Sequence, residues 1–139
     1  MRVILDTNIL ISAFVFPGGA PEAVYRAALE GRVTLVTSPA LLAEFGRVLS
    51  EKFGWAPDRA EQAVAQIVRI GDVVRPTSTV HVIREDPADD RVLEAALARK
   101  ADVIVSGDRH LWRLDNWRGI QTEKATTFLA RPGILPERL

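Results

Sequence analysis

Short, nearly continuous apolar runs recur along this chain, each separated from the next by a segment of helical periodicity. Arg2-Val-Ile-Leu-Asp6, Val33-Thr-Leu-Val-Thr37 and Ala101-Asp-Val-Ile-Val-Ser106 are the clearest, and Asp72 to Val74 and the residues near Ile120 form shorter ones. Runs of this length, rich in β-branched residues, read as buried strands. Between them, Asn8–Phe14 has helical character and is stopped by Pro17-Gly18-Gly19. Pro21 can open a helix over Glu22–Glu30 that ends at Gly31. Ser38 is a good cap and Pro39 a good first residue for a helix carrying Leu41, Leu42, Phe45, Val48, Leu49 and Phe53 at helical spacing. Residues 57–70 predict an amphipathic helix with Ala60, Val64, Ile67 and Val68 inward. Pro87 opens another with Val92, Leu93, Ala96 and Leu97 on one face, and residues 123–130 predict a last helix. The stretch through Val82 carries no clear pattern. Strands alternating with helices require a parallel sheet with crossovers, so the expected fold is an α/β domain with a central parallel sheet.

At 139 residues the chain fits one domain, 1–139, which at this size buries roughly two-thirds of its unfolded surface without a disulfide or structural metal. With no cysteine, zinc fingers, iron–sulfur clusters and thiol catalysis are excluded. No apolar stretch is long enough to span a membrane. The N-terminal run is broken by Asp6 and Asn8, unlike a signal peptide, so a cytoplasmic location is expected. Eighteen basic and eighteen acidic residues cancel, so any polyanion must be held by a local patch or through metal.

In open parallel sheets, sites gather at the carboxyl ends of strands. Two strands here end in an acid, at Leu5-Asp6 and at Ser106-Gly107-Asp108. Each Asp can be a mere helix cap; both together, with further acids converging, point to a site. Glu44 falls on the edge of its helix's apolar stripe, on the flank of Leu41 and Val48, where it can face a cleft or pair with Arg47 or Lys52. Asp89 stands at the start of the inward face of the Pro87 helix, with Asp90 on the rim and Asp86 a candidate cap. A desolvated carboxylate there needs a partner or a metal.

Leu5-Asp6-Thr7-Asn8 after an N-terminal strand, Glu44 in Leu-Leu-Ala-Glu-Phe, Asp89-Asp90-Arg91-Val92-Leu93 and Val105-Ser106-Gly107-Asp108 together resemble the PIN domain family. The chain is similar in particular to small stand-alone prokaryotic PIN proteins that serve as toxins of toxin–antitoxin pairs. The resemblance implies a three-layer α/β sandwich with a mainly parallel sheet. It implies an endoribonuclease dependent on Mg²⁺ or Mn²⁺, with one or two ions per site. Asp6, Glu44, Asp89 and Asp108 would be the catalytic acids and metal ligands, with Asn8 and Ser106 supporting them. Asp90 competes with Asp89 for the third position. The implied partners are RNA and an antitoxin protein; the apolar helices at 22–29 and 57–70 are candidate faces for a homodimer.

The residue chemistry agrees with that reading. Carboxylates are hard ligands suited to Mg²⁺ or Mn²⁺, and acids crowded in one cleft repel each other until a cation arrives. Arg91, Arg109, His110 and Arg113 lie close in sequence to the acids and are candidates for RNA-backbone contacts, or else ordinary surface. Trp55, Trp112 and Trp117 can stack on bases, although packing in the core or an interface is expected for at least two. A haloacid-dehalogenase-type phosphatase also begins with a strand ending in Asp. Its second acid, however, is replaced here by Asn8, and Trp112 stands where a further acid is wanted. A non-catalytic RNA- or protein-binding module of the same fold is the other alternative.

Overall fold

The computed structural model describes residues 1–77 and 87–136, with the backbone alone for residues 87–89. Asp86, the stretch from residue 78 through Val82, and the side chain of Asp89 therefore lie outside the described residues. The apolar runs form strands β1 (Arg2–Leu5), β2 (Thr34–Thr37), β3 (Asp72–Val73), β4 (Val103–Val105), β5 (Asn116–Trp117) and β6 (Ile120–Glu123). The helices are α1 (Thr7–Val15), α2 (Ala20–Leu29), α3 (Pro39–Phe53), α4 (Pro57–Ile70), α5 (Pro87–Ala98), α6 (Arg109–Trp112) and α7 (Ala125–Leu129).

The strands make one six-stranded sheet in the order β3-β2-β1-β4-β6-β5. All pairings are parallel except the β5–β6 hairpin at one edge. Because successive strand side chains point to opposite faces, each central strand feeds two cores. Val3, Leu5, Leu35, Val103 and Val105 join a cluster with residues of α1, α2, α3, α4 and α7. Ile4, Val36 and Ile104 join a second with Val92, Leu93, Ala95 and Ala96 of α5. Helices thus cover both faces, giving the three-layer α/β sandwich.

Local chemistry sets the element ends. Ser38 caps α3 by accepting from the Leu41 N–H at 3.3 Å, and Pro39 follows at the first helical position, where its missing N–H costs nothing. One inward assignment is corrected. Val68 of α4 is 47% exposed, because the buried stripe of this helix is narrow and runs through Ala60, Ala63 and Ile67. Val64 of α4 and Leu97 of α5 are half-buried. Two elements escape the sequence pattern, α6 and β5, which hold only four and two residues.

Candidate active site

The sheet order places the site. From β1 the chain moves one way to β2 and β3, then returns to lay β4 on the other side of β1. The crevice between the carboxyl ends of β1 and β4 is the topological switch point, where α/β sheets bind ligands. Asp6 follows β1 directly and Ser106-Gly107-Asp108 follows β4, so acids a hundred residues apart in sequence emerge from adjacent strands.

Both aspartates do cap helices, as the simpler reading anticipated. Asp6 Oδ1 accepts from the Ile9 N–H at 2.9 Å at the start of α1, and Asp108 Oδ1 accepts from the His110 N–H at 2.8 Å at the start of α6. Ser106 joins them. Its hydroxyl accepts from the Asp108 N–H at 2.8 Å and donates to Asp6 Oδ2. With that N–H occupying the serine oxygen, the only hydroxyl proton is directed at Asp6, and the carboxylate is held by both oxygens.

Asp6 is 3% exposed. Burial, and to a lesser degree the charge of Asp108, raises its carboxyl to about 6; the Ser106 hydroxyl and the backbone N–H groups of Ile9 and Asn8 act in the opposite sense. Removing this carboxylate from water is costly, and a cation in the crevice would relieve that cost. Asp108 is half-buried.

The other acids are placed less simply. Glu44 is half-buried on α3, between buried Leu41, Phe45 and Val48. Asp90, expected on the rim of α5, is instead 3% exposed. The reason is the setting of α5, which packs on β1 and β2 and also on α3, so its buried arc is wide enough to include Asp90 and Glu94. Among the described residues, which omit the Asp89 side chain, no three of His, Cys, Asp and Glu lie together closely enough to hold a metal. Two carboxylates still fit Mg²⁺, which characteristically takes one or two from protein and fills its octahedron with water and substrate phosphate.

Asn8 is exposed, and its contribution to Asp6 comes from the backbone N–H rather than the carboxamide. Arg109 and Arg113 are exposed, Arg109 on α6 and Arg113 capping its C-terminal end, and His110 is half-buried. Arg91 is ion-paired with buried Glu94 at 2.9 Å. The tryptophans pack: Trp55 and Trp117 lie against the two cores. Each indole also has a cation over a ring face, Arg59 on Trp55 at 3.8 Å, Arg118 on Trp117 at 4.8 Å and Lys124 on Trp112 at 4.1 Å. Sequence reasoning missed Thr37, whose buried Oγ1, at the carboxyl end of β2, has no hydrogen-bond partner among the described residues. A threonine closing a β-branched run gives no signal of this in the sequence.

An α/β sandwich with paired, serine-linked aspartates at its switch point defines the class of protein. The PIN domain family model matches residues 2–110, and the chain belongs to the PIN domain family. Membership removes the phosphatase reading. The uncharacterized protein MJ1680 of Methanocaldococcus jannaschii is 28% identical over 115 residues, covering 80% of this chain and 73% of that one. Among solved structures, VapBC2 from Rickettsia felis, bound to a DNA fragment from their promoter, superposes with a TM-score of 0.64 at 13% identity, covering 89% of this chain and 98% of that chain. VapBC-1 from nontypeable Haemophilus influenzae gives 0.61 at 18% identity, with coverage of 91% and 99%. PAE2754 from Pyrobaculum aerophilum gives 0.59 at 18% identity, with coverage of 94% and 88%. At these identities the likeness establishes the fold.

Proposed function

We propose that this protein is a metal-dependent endoribonuclease that hydrolyses RNA phosphodiester bonds and serves as the toxin of a toxin–antitoxin pair. The observation that carries the reading is the Asp6–Ser106–Asp108 linkage at the switch point, where a buried carboxylate is kept in one orientation at the cost of its hydration. Family membership and the fold shared with VapBC proteins support the nuclease class and an antitoxin partner.

Asp6 and Asp108 would hold Mg²⁺ or Mn²⁺, with Asp89, Glu44 or Asp90 completing the set directly or through water. When bound, such an ion neutralises phosphate charge and lowers the pKa of an attacking water. The chain's own residues prepare the site. Ser106 fixes the Asp6 carboxylate, the N–H groups of Ile9 and Asn8 also donate to it, and the His110 N–H holds Asp108. Arg109 and His110 of α6 and Arg113 at its C-terminal end would contact the RNA backbone.

The test is cleavage of a labelled single-stranded RNA with Mg²⁺ or Mn²⁺ against EDTA, for wild type and Asp108→Asn side by side. Cleavage that needs the ion and falls by roughly two orders of magnitude or more in the variant is expected. Equal cleavage by both proteins overturns the reading. RNA binding without cleavage even when Mg²⁺ or Mn²⁺ is supplied points instead to a non-catalytic module.

A further inference from the structure

A second polar concavity opens on the same edge of the sheet, one strand over from Asp6. It is a pocket of about 290 Å³ lined by Ser38, Ala40, Arg75, Arg91 and Glu94, among others. We infer that this pocket binds a backbone phosphate of the nucleic acid strand lying over the Asp6–Asp108 crevice, an inference that rests on the ribonuclease reading.

The donors in the pocket are built in. Among the described residues, two guanidinium groups and one carboxylate line the pocket, a local cationic excess in a chain of zero formal net charge. Glu94 is buried and fixes Arg91 through their 2.9 Å ion pair, leaving that planar cation in place rather than free to swing. Arg75 is exposed and makes no ion pair among the described residues. Ser38 is 1% exposed, and its oxygen accepts from the Leu41 N–H. Its own hydroxyl proton has no acceptor among the described residues, although the group lines the pocket. The Ala40 N–H belongs to the first turn of α3, where backbone donors lack intrahelical acceptors and the helix dipole favours an anion. A buried hydroxyl with a proton to give, a backbone N–H and two cations form a recognition set for phosphate oxygens.

Topology links the pocket to the crevice. Ser38 leaves the carboxyl end of β2, which pairs in register with β1 at Ile4 and Val36, so it emerges about 4.8 Å across the sheet from the strand that delivers Asp6. Arg91 directly follows Asp90 on α5. A strand of RNA crossing the edge of the sheet from Asp108 past Asp6 runs on toward this pocket.

The test uses the full chain in EDTA, so that nothing is cleaved, with Arg75→Ala and Ala40→Glu as variants. Arg75 is exposed, and a glutamate in the first turn of α3 suits the helix dipole, so both variants should fold. Backbone amide shifts of Ala40 and Ser38, or of their neighbours in the variants, are followed by NMR against inorganic phosphate and then against single-stranded RNA. Both ligands should move these amides in wild type. Each variant should bind RNA about tenfold more weakly, and Arg75→Ala should lower the salt dependence by about one counterion. RNA that perturbs the Asp6–Asp108 crevice but leaves Ala40 unmoved, with both variants binding as wild type, overturns the pocket and spares the nuclease reading. Phosphate that moves Ala40 in a protein that neither binds nor cleaves RNA does the reverse, keeping an anion pocket and overturning the ribonuclease reading.

Discussion

The carboxyl of Asp6 shows how one side chain couples fold to chemistry. Raised from 3.8 to about 6 by burial, it binds a proton more tightly in the folded state than in the unfolded chain. Below about pH 4 both states are protonated and the group costs nothing. Between pH 4 and 6 the unfolded chain has lost its proton while the folded chain keeps it, so stability falls as pH rises. Above pH 6 the full cost, on the order of 3 kcal/mol, is present. Asp6→Asn should therefore melt higher than wild type at pH 7 without metal, by a margin that vanishes toward pH 4. Mg²⁺ should raise the melting temperature of wild type and not of the variant, which paired thermal melts would read directly. A variant that melts far lower at pH 7 would make Asp6 a structural cap alone. Asp6, Ser106 and Asp108 were legible in the sequence because a strand end fixes its residues locally. Asp90 was not, since the width of a helix's buried arc depends on how many neighbours it has, and α5 has both the sheet and α3. For Asn8, spacing identifies the residue near the carboxylate but not which of its groups makes the contact, which here is the backbone N–H.

At the level of elements, periodicity located the long helices well because each buries a stripe of several turns. It failed on the two shortest pieces. The hairpin joining β5 to β6 turns at Arg118 and Gly119, both with positive φ, at 52° and 83°. Two-residue turns of this hand favour Asn or Asp before glycine, so an arginine there hid the hairpin. Gly71, by contrast, is needed for space. It ends α4 and leads into β3, and a β-carbon on it would lie 2.9 Å from the Ile67 carbonyl oxygen and 3.4 Å from that of Leu35. Neither backbone oxygen can move without disturbing α4 or β2. Gly71→Ala should cost about 1–3 kcal/mol, visible as a lower urea midpoint with an unchanged slope. A neutral result would mean that the α4–β3 junction shifts freely.

Over the whole molecule, alternation of strand and helix was enough to predict a parallel sheet. The order of strands was not, because it depends on where each crossover lands, and the switch point between β1 and β4 follows from that order alone. The phosphate pocket was similarly hidden, as Ser38, Arg75 and Arg91 meet only when β2, the segment after β3 and α5 are assembled. Neutral net charge pointed to a local patch without saying where.

The family match stops at residue 110, yet the serine that ties the two aspartates is anchored by what lies beyond it. The Ser106 N–H donates to the Glu123 carbonyl at 2.9 Å, and β6 pairs along β4 from Val103 to Val105. Arg131 in turn pins the Glu123 side chain, and Leu111, Ile120 and Phe128 fill the cores. A chain ended at residue 110 should lose cooperative unfolding, as read by circular dichroism, and associate through β4, whose open row of N–H and C=O groups would template another strand. The segment outside the recognisable family signature is thus the seal on the central sheet, and the geometry of the acids is inherited from a strand that carries none of them.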